Sequence, residues 1–318
     1  MGPPKNQLIY LEKIILANKA FLFPGQGSQF VGMAKDLYEN FDEIKNIYNT
    51  ADEIMGVKLS DICFNGPEEQ LKQTKYTQPA IFVHSIAIFE LLRKKGLIAS
   101  ASAGHSLGEY SALVTAGSLS FEDGLGLVKI RGESMQQAGT EKPGTMAAII
   151  GLEPDVIKNV CQNITGVVQP ANFNSPGQVA ISGDVSAVYA AMEKLKEAGA
   201  KKVVELVVSG AFHSPLMESA QEGLLDALKK VEIKDATIPV YANVTALPVT
   251  KKEEIKDLLY KQLTHPVRWM EIYSNMVNDG FDEFIELGPG KVLTGLGKRI
   301  NREVNCRAIG TLEDINSL

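Results

Sequence analysis

Ala99-Ser100-Ala101-Ser102-Ala103-Gly104-His105-Ser106-Leu107-Gly108-Glu109-Tyr110 passes from small residues into a serine flanked by glycines, and from there toward helix formers. We read Ala99–Ala103 as a strand and Ser111–Ala116 as a helix. A short strand that ends in a glycine turn before a helix is how α/β sheets hand over to their covering helices. Gly104–Gly108 also fits G-x-S-x-G, the nucleophile elbow. There a sharp turn holds the serine hydroxyl out, and small neighbours avoid clashes. The next N–H, from Leu107, then points where an oxyanion would form. A chain with 28 glycines can produce this pattern by chance, so the flanking strand and helix carry the weight.

The neighbouring segments repeat the alternation. Lys19–Phe23 reads as a strand that enters Pro24-Gly25-Gln26-Gly27-Ser28-Gln29. Helical periodicity follows over Met33–Met55 and Ala80–Lys95, with Pro79 near the first turn, where proline is tolerated. Phe121–Gln137 is a helix carrying Arg131. Strands alternating with helices predict a mostly parallel sheet covered on both faces, an α/β class of hydrolase-like type. The middle differs. Strands over Thr145–Leu152, Val167–Asn172, Gln178–Ser182 and Lys201–Val208 are interleaved with helices over Asp155–Asn163 and Val185–Ala198. That order, βαββαβ, is a ferredoxin-like unit. We read it as a subdomain, 140–209, inserted into a catalytic domain formed by 19–139 and 210–318. The larger pattern resumes with Pro215–Lys230, Ile238–Asn243, Glu253–Leu263, Trp269–Asn278, Asp282–Leu287 and a last helix, Val292–Asn301. Met1–Asn18 reads as a short helical extension without catalytic content.

Composition narrows the function. Apolar residues at 45% and charged residues at 22% are ordinary globular values. A net charge of −6 argues against nucleic acid as a general partner, since phosphate binding wants a basic face. The three cysteines are scattered, which suits a reducing compartment, and no zinc spacing exists among the four histidines, so no metal is expected. No apolar run approaches the ~20 residues that span a bilayer, and no signal-peptide pattern is present. The expectation is a cytoplasmic protein with no membrane association, monomeric by default.

A serine hydroxyl needs a base. His105 lies within the elbow and cannot fold back onto Ser106. His84 sits on an apolar helix face and reads as a core histidine. His265 precedes Pro266 in a loop and remains possible. His213 follows a strand in Ser209-Gly210-Ala211-Phe212-His213-Ser214-Pro215, where α/β sites are built, and is favoured on that ground. Taken alone, Arg131 would be a solvated surface arginine. The Gly25–Gln29 loop lacks the Lys-Ser/Thr ending of a P-loop and would be only a tight turn.

The series Phe23–Gln29, Thr77-Gln78-Pro79-Ala80, Gly104–Glu109, Arg131-Gly132, Asn172–Gln178, Ala211–Ser214 and Glu286–Gly290 occurs in that order. It closely resembles the malonyl-CoA:acyl carrier protein transacylase family of bacterial fatty acid synthesis, over nearly all the chain from Lys19 onward. The resemblance implies an acyl-enzyme on Ser106, with His213 as general base. It implies that Arg131 grips the malonyl carboxylate and that the N–H groups of Gln26 and Leu107 form the oxyanion hole. The main-chain carbonyl of Gln262 would steady the histidine in place of an aspartate. Phe212 would wall the acyl pocket. Asn172 and Asn174 read either as turn residues or as the cleft rim facing the coenzyme A arm, and Gln78 as either a cap-region or a site-wall residue. Malonyl-CoA and acyl carrier protein would be substrate and partner. No cofactor is implied, since coenzyme A arrives as substrate and the partner carries the phosphopantetheine.

The chemistry is consistent with this, because two thioesters of similar energy suit a relay through a serine ester. A guanidinium can hold a carboxylate bidentately. A working histidine near its ordinary pKa would lose activity as pH falls through about 6.5. Two other readings stand beside this one: a serine thioesterase or hydrolase with a Ser-Asp/Glu-His triad, and a non-catalytic domain that binds carrier protein or nucleotide.

Overall fold

The computed structural model describes residues 19–318, so the helical extension expected over Met1–Asn18 lies outside the described residues. The strands are β1 (Lys19–Phe23), β2 (Ala101–Gly104), β3 (Gly144–Ile150), β4 (Val168–Ser175), β5 (Gln178–Asp184), β6 (Lys202–Glu205), β7 (Val240–Tyr241), β8 (Pro248–Val249), β9 (Glu283–Leu287) and β10 (Asn305–Ile309). They form a six-stranded sheet in the order β10-β9-β1-β2-β7-β8 and a four-stranded sheet in the order β4-β5-β3-β6.

In the larger sheet every pairing is parallel except β7 with β8. Successive side chains of a strand face opposite ways, so a strand covered on both faces reads as a continuous apolar run. Ala20-Phe21-Leu22-Phe23 is such a run. Phe21 and Phe23 enter the core shared with Phe82, Tyr110, Leu125 and Val128. Ala20 and Leu22 enter a second core with Trp269, Tyr273 and Phe284 on the other face. β1 and β2 are adjacent and parallel near the middle of the sheet, so their carboxyl ends and following loops open on the same edge. That edge is where α/β sheets place their sites.

The smaller sheet is antiparallel throughout, with its strands in the ferredoxin-like order. The helices Pro154–Gln162 and Val185–Glu197 pack on one face around Ile149, Ile157, Val179, Ile181 and Leu195. From the sheet, Met146, Ala171 and Ala180 instead join the large core. A bridge ties it to the segment after the helix Lys252–Gln262: Phe173 donates to Val267 O at 2.9 Å and Val267 donates to Ala171 O at 2.8 Å.

Some elements depart from the periodicity. The helix expected over Met33–Met55 is two, Lys35–Asn40 and Asp42–Met55, divided where Phe41 adopts extended backbone. Pro79 lies inside the helix Thr74–Lys94 rather than near its start; it is buried there, and packing outweighs the hydrogen bond it cannot make. The strand expected over Lys201–Val208 ends at Glu205, and Ile238–Asn243 contracts to Val240–Tyr241. The helix Val292–Ile300 is not the last element, because edge strand β10 and the helix Leu312–Asn316 follow. Asn305-Cys306-Arg307 is too polar to announce a strand, and pairing with β9 supplies what the pattern lacks.

Candidate active site

The elbow forms where β2, the helix Gly108–Thr115 and the end of β1 leave no room for side chains at two positions. A Cβ on Gly104 would fall 1.8 Å from Gly108 C, and one on Gly108 would fall 2.1 Å from Phe23 O. Ser106 between them has φ 52°, a left-handed conformation unusual for a residue with a side chain. Its N–H is held by Asn243 Oδ1 at 2.6 Å, and Asn243 Nδ2 reaches back to Gly104 O at 2.7 Å.

Of the four histidines, His213 meets the serine: Ser106 Oγ lies 2.8 Å from His213 Nε2. Its Nδ1 lies 2.8 Å from Gln262 O and 3.1 Å from His265 O. Carbonyls only accept, so the proton sits on Nδ1 and Nε2 presents its lone pair to the Ser106 hydroxyl. The acceptors at Nδ1 are main-chain carbonyls where a hydrolase triad would place a carboxylate. His213 also has positive φ, 57°, and its carbonyl accepts from Gln169 Nε2 at 2.9 Å. Burial, and next the positive Arg131, push its pKa down to about 3. The ring is therefore neutral well below the pH 6.5 region expected from an unperturbed histidine, and that expectation is corrected here.

The other histidines fall elsewhere. His84 is buried with Nε2 on Gly310 O at 2.8 Å, a core role. His105 turns away from the serine, toward Asn174 Oδ1 at 2.8 Å, and packs by Trp269. The His265 ring is exposed, and only its carbonyl reaches the site.

Arg131, which alone would read as a surface residue, is fully buried. Its Nη1 donates to Gln78 Oε1 at 2.7 Å, and its Nη2 donates to Gln262 Oε1 and Ser106 Oγ, both at 2.9 Å. These partners are all neutral, so among the described residues a cationic fork faces the serine without a carboxylate bonded to it. Burial lowers its pKa, and Tyr110 and Glu109 work in the opposite direction.

A cavity of about 160 Å³ opens over these groups, with Gln26, Leu107, Phe212, Asn172 and Asn174 on its walls. Among the described residues, the main-chain N–H groups of Gln26 and Leu107 donate to no protein acceptor. Gly25 brings the first loop against the elbow, since a Cβ there would meet His105 O at 2.4 Å. The structure thus brings Gln26, Gln78, Ser106, Leu107, Arg131, Asn172, Asn174, Phe212 and His213 to one opening, with Gln262 buried behind it. It adds three that sequence reasoning missed: Asn243, Glu109 and the carbonyl of His265. Glu109 lay inside the quoted elbow motif, and Asn243 at a strand end, which were the available signals.

A serine elbow, a neutral histidine and unspent N–H donors on a doubly covered sheet define the class, enzymes that move acyl groups through a serine. The comparisons agree, since residues 20–314 match the family described as acyl transferase domain. The chain is 47% identical over 299 residues to the malonyl CoA-acyl carrier protein transacylase of Bacillus subtilis, with 93% of this chain and 94% of that one covered. It superposes on the crystal structure of the acyl-carrier-protein-S-malonyltransferase from Bartonella henselae with a TM-score of 0.92 at 41% identity, covering 94% of this chain and 98% of the other. It is equally close, at TM-score 0.92 and 40% identity over 95% of this chain and 98% of the other, to a malonyl-transacylase solved in complex with its type II PKS acyl carrier protein. The chain belongs to the malonyl-CoA:acyl carrier protein transacylase family.

Proposed function

We propose that this chain transfers the malonyl group from malonyl-CoA to the phosphopantetheine thiol of acyl carrier protein, supplying malonyl units for fatty acid synthesis. The observation that carries the reading is Arg131, a buried guanidinium 2.9 Å from Ser106 Oγ with only neutral hydrogen-bond partners among the described residues. A buried charge is costly until an opposite charge completes it, and an acyl group ending in a carboxylate near its carbonyl does so. Gln78 and Gln262 hold the fork in place for it.

In the first half-reaction His213 Nε2 takes the Ser106 proton as Oγ bonds to the thioester carbon. The N–H groups of Gln26 and Leu107 hold the oxyanion, each worth roughly 3 kcal/mol in the transition state. The C–S bond then breaks and the proton passes from His213 to the departing coenzyme A sulfur. The second half-reaction runs the same steps in reverse order, with the carrier thiol giving its proton to His213 as its sulfur attacks the ester. The carbonyls of Gln262 and His265 hold the ring in the one tautomer this needs. Phe212, Asn172 and Asn174 wall the acyl and donor cleft. Both steps are proton transfers and acyl exchanges, which the side chains named can carry without a cofactor.

We assign the catalytic domain to 19–139 and 210–318 and the ferredoxin-like subdomain to 140–209, and we place the enzyme in the cytoplasm as a monomer. Among the described residues no helix is long and apolar enough to cross a membrane. The test is intact mass after mixing with malonyl-CoA alone. One malonyl ester should appear on Ser106, leave when phosphopantetheinylated carrier protein is added, and be absent from Ser106→Ala. An ester on another serine, or undiminished transfer by Ser106→Ala, ends this mechanism. Sustained hydrolysis in place of transfer would favour the thioesterase reading.

A further inference from the structure

Behind the elbow lies a buried carboxylate that the two-step relay does not use. Glu109 is 3% exposed, and its Oε2 accepts from Gln262 Nε2 at 2.7 Å and from Asn243 N at 3.1 Å. Each donor also grips the serine, Asn243 through its side-chain oxygen and Gln262 through the second N–H of the same amide nitrogen. Asn243 Oδ1 holds Ser106 N–H at 2.6 Å, and Gln262 Nε2 also reaches Ser106 O at 3.0 Å. Gln262 further accepts from Arg131 through Oε1 at 2.9 Å and from His213 through its carbonyl at 2.8 Å. One carboxylate therefore stands behind nucleophile, base and guanidinium, joined to each through a single residue.

Building on the relay above, we propose that Glu109 is a positioning residue and the internal counter-anion of Arg131, and that it takes up a proton when a malonyl carboxylate arrives on that arginine. The charged and titratable groups around it support this. Arg131 acts on it from the helix Phe121–Glu141, and Tyr110 lies beside it on its own helix. His213, across Ser106, is kept neutral by burial. The segments ending at Gln262 and carrying Asn243 present neutral amides. Burial lifts the Glu109 carboxyl to about 7, against the pull of Gln262, Asn243 and Arg131. A second anion on the guanidinium cancels the positive field and adds repulsion, and both changes raise a carboxyl pKa further.

Ester formation itself is proton-neutral, since the Ser106 proton ends on the coenzyme A sulfur, which stays mostly protonated below about pH 8.5. Uptake from solution therefore reports Glu109. The experiment mixes the full-length protein with malonyl-CoA in weak buffer near pH 7.5 with an indicator dye, and scores the Ser106 ester by intact mass in the same sample. The expected result is about 0.5–1 proton taken up per ester formed with malonyl-CoA, and none per ester formed with acetyl-CoA, which brings no carboxylate. Glu109→Gln, which keeps an acceptor in the same place, should form the malonyl ester without uptake. If that variant fails to fold, binding of malonyl-CoA to Ser106→Ala should still draw the proton. A wild-type malonyl ester without uptake, equal uptake with acetyl-CoA, or equal uptake by Glu109→Gln would overturn the proposal while leaving the relay intact. No wild-type ester at all would remove the relay, and this proposal with it.

Discussion

The two sheets bury their residues in opposite ways. Around the ends of β1 and β2 the interior holds Arg131, Glu109, His213, Asn243 and Gln262, and two of the strained non-glycine residues, Ser106 and His213, lie there. The core of the four-stranded sheet is Ala147, Ile149, Val179, Ile181 and their neighbours, and no non-glycine residue from 144 to 205 has positive φ. The first region spends stability on a charged, strained constellation, and the second builds an ordinary apolar layer that closes the cleft with Met146 and Ala180. Function tolerates local strain where a rigid surround over-determines it, and it leaves the covering layer to simple patterning. The contrast predicts that substitutions in the first region change chemistry and selectivity, while those in the second change stability.

The largest effect should come from Arg131→Ala. The malonyl donor should lose about 3–5 kcal/mol of transition-state binding, as when one partner of a buried charge pair is removed. Acetyl-CoA does not use that contact, so its slow transfer should be unchanged or raised. The ratio of kcat/KM for the two donors in wild type and variant measures this. Equal losses for both donors would mean that Arg131 supports the site without selecting malonate.

Next in size is Ile181→Ala in the small sheet. Removing a fully buried isoleucine side chain should cost roughly 2–4 kcal/mol of stability, read from the denaturant midpoint. The malonyl-to-acetyl ratio should stay at its wild-type value. A changed ratio would break the comparison, because the covering layer would then shape the chemistry.

The smallest effect concerns pH. His213 is depressed to about 3 by burial first and by Arg131 second. A carboxylate on Arg131 removes only the second cause, so the base stays neutral in the loaded site. Single-turnover acylation at saturating malonyl-CoA should change by less than about twofold between about pH 7.5 and 5.5. A fall with a midpoint near 6.5 would show that water reaches the ring. The same shift has a stability sign. Between pH 6.5 and 3 the unfolded histidine binds a proton that the folded one refuses, so its contribution is present above that window and lost as pH falls through it.

Legibility followed the range of the interactions. The elbow, the alternation and the βαββαβ unit were readable because each rests on neighbours a few residues apart. Pro79 inside a helix and the polar edge strand β10 were not, since tertiary packing and sheet pairing overrode the local signal there. His213 could be favoured over His265 only modestly from its place after a strand. The resemblance to a known family supplied its role, as it did for Arg131, Gln26 and Gln262.

By itself, then, the sequence determined the class of fold, the serine on its turn and the order of the motifs, because glycine spacing and hydrophobic period act through the local backbone. The tertiary structure alone decided which imidazole faces Ser106 across 107 positions of chain, and that Gln262 spans 156 positions to hold the same residue. It also decided that Arg131 is buried with neutral partners and that Glu109 stands behind the elbow. The physical reason is that desolvation and electrostatic balance belong to the assembled surroundings. A carboxyl shifted to about 7 and an imidazole shifted to about 3 acquire those values only when distant segments exclude water around them.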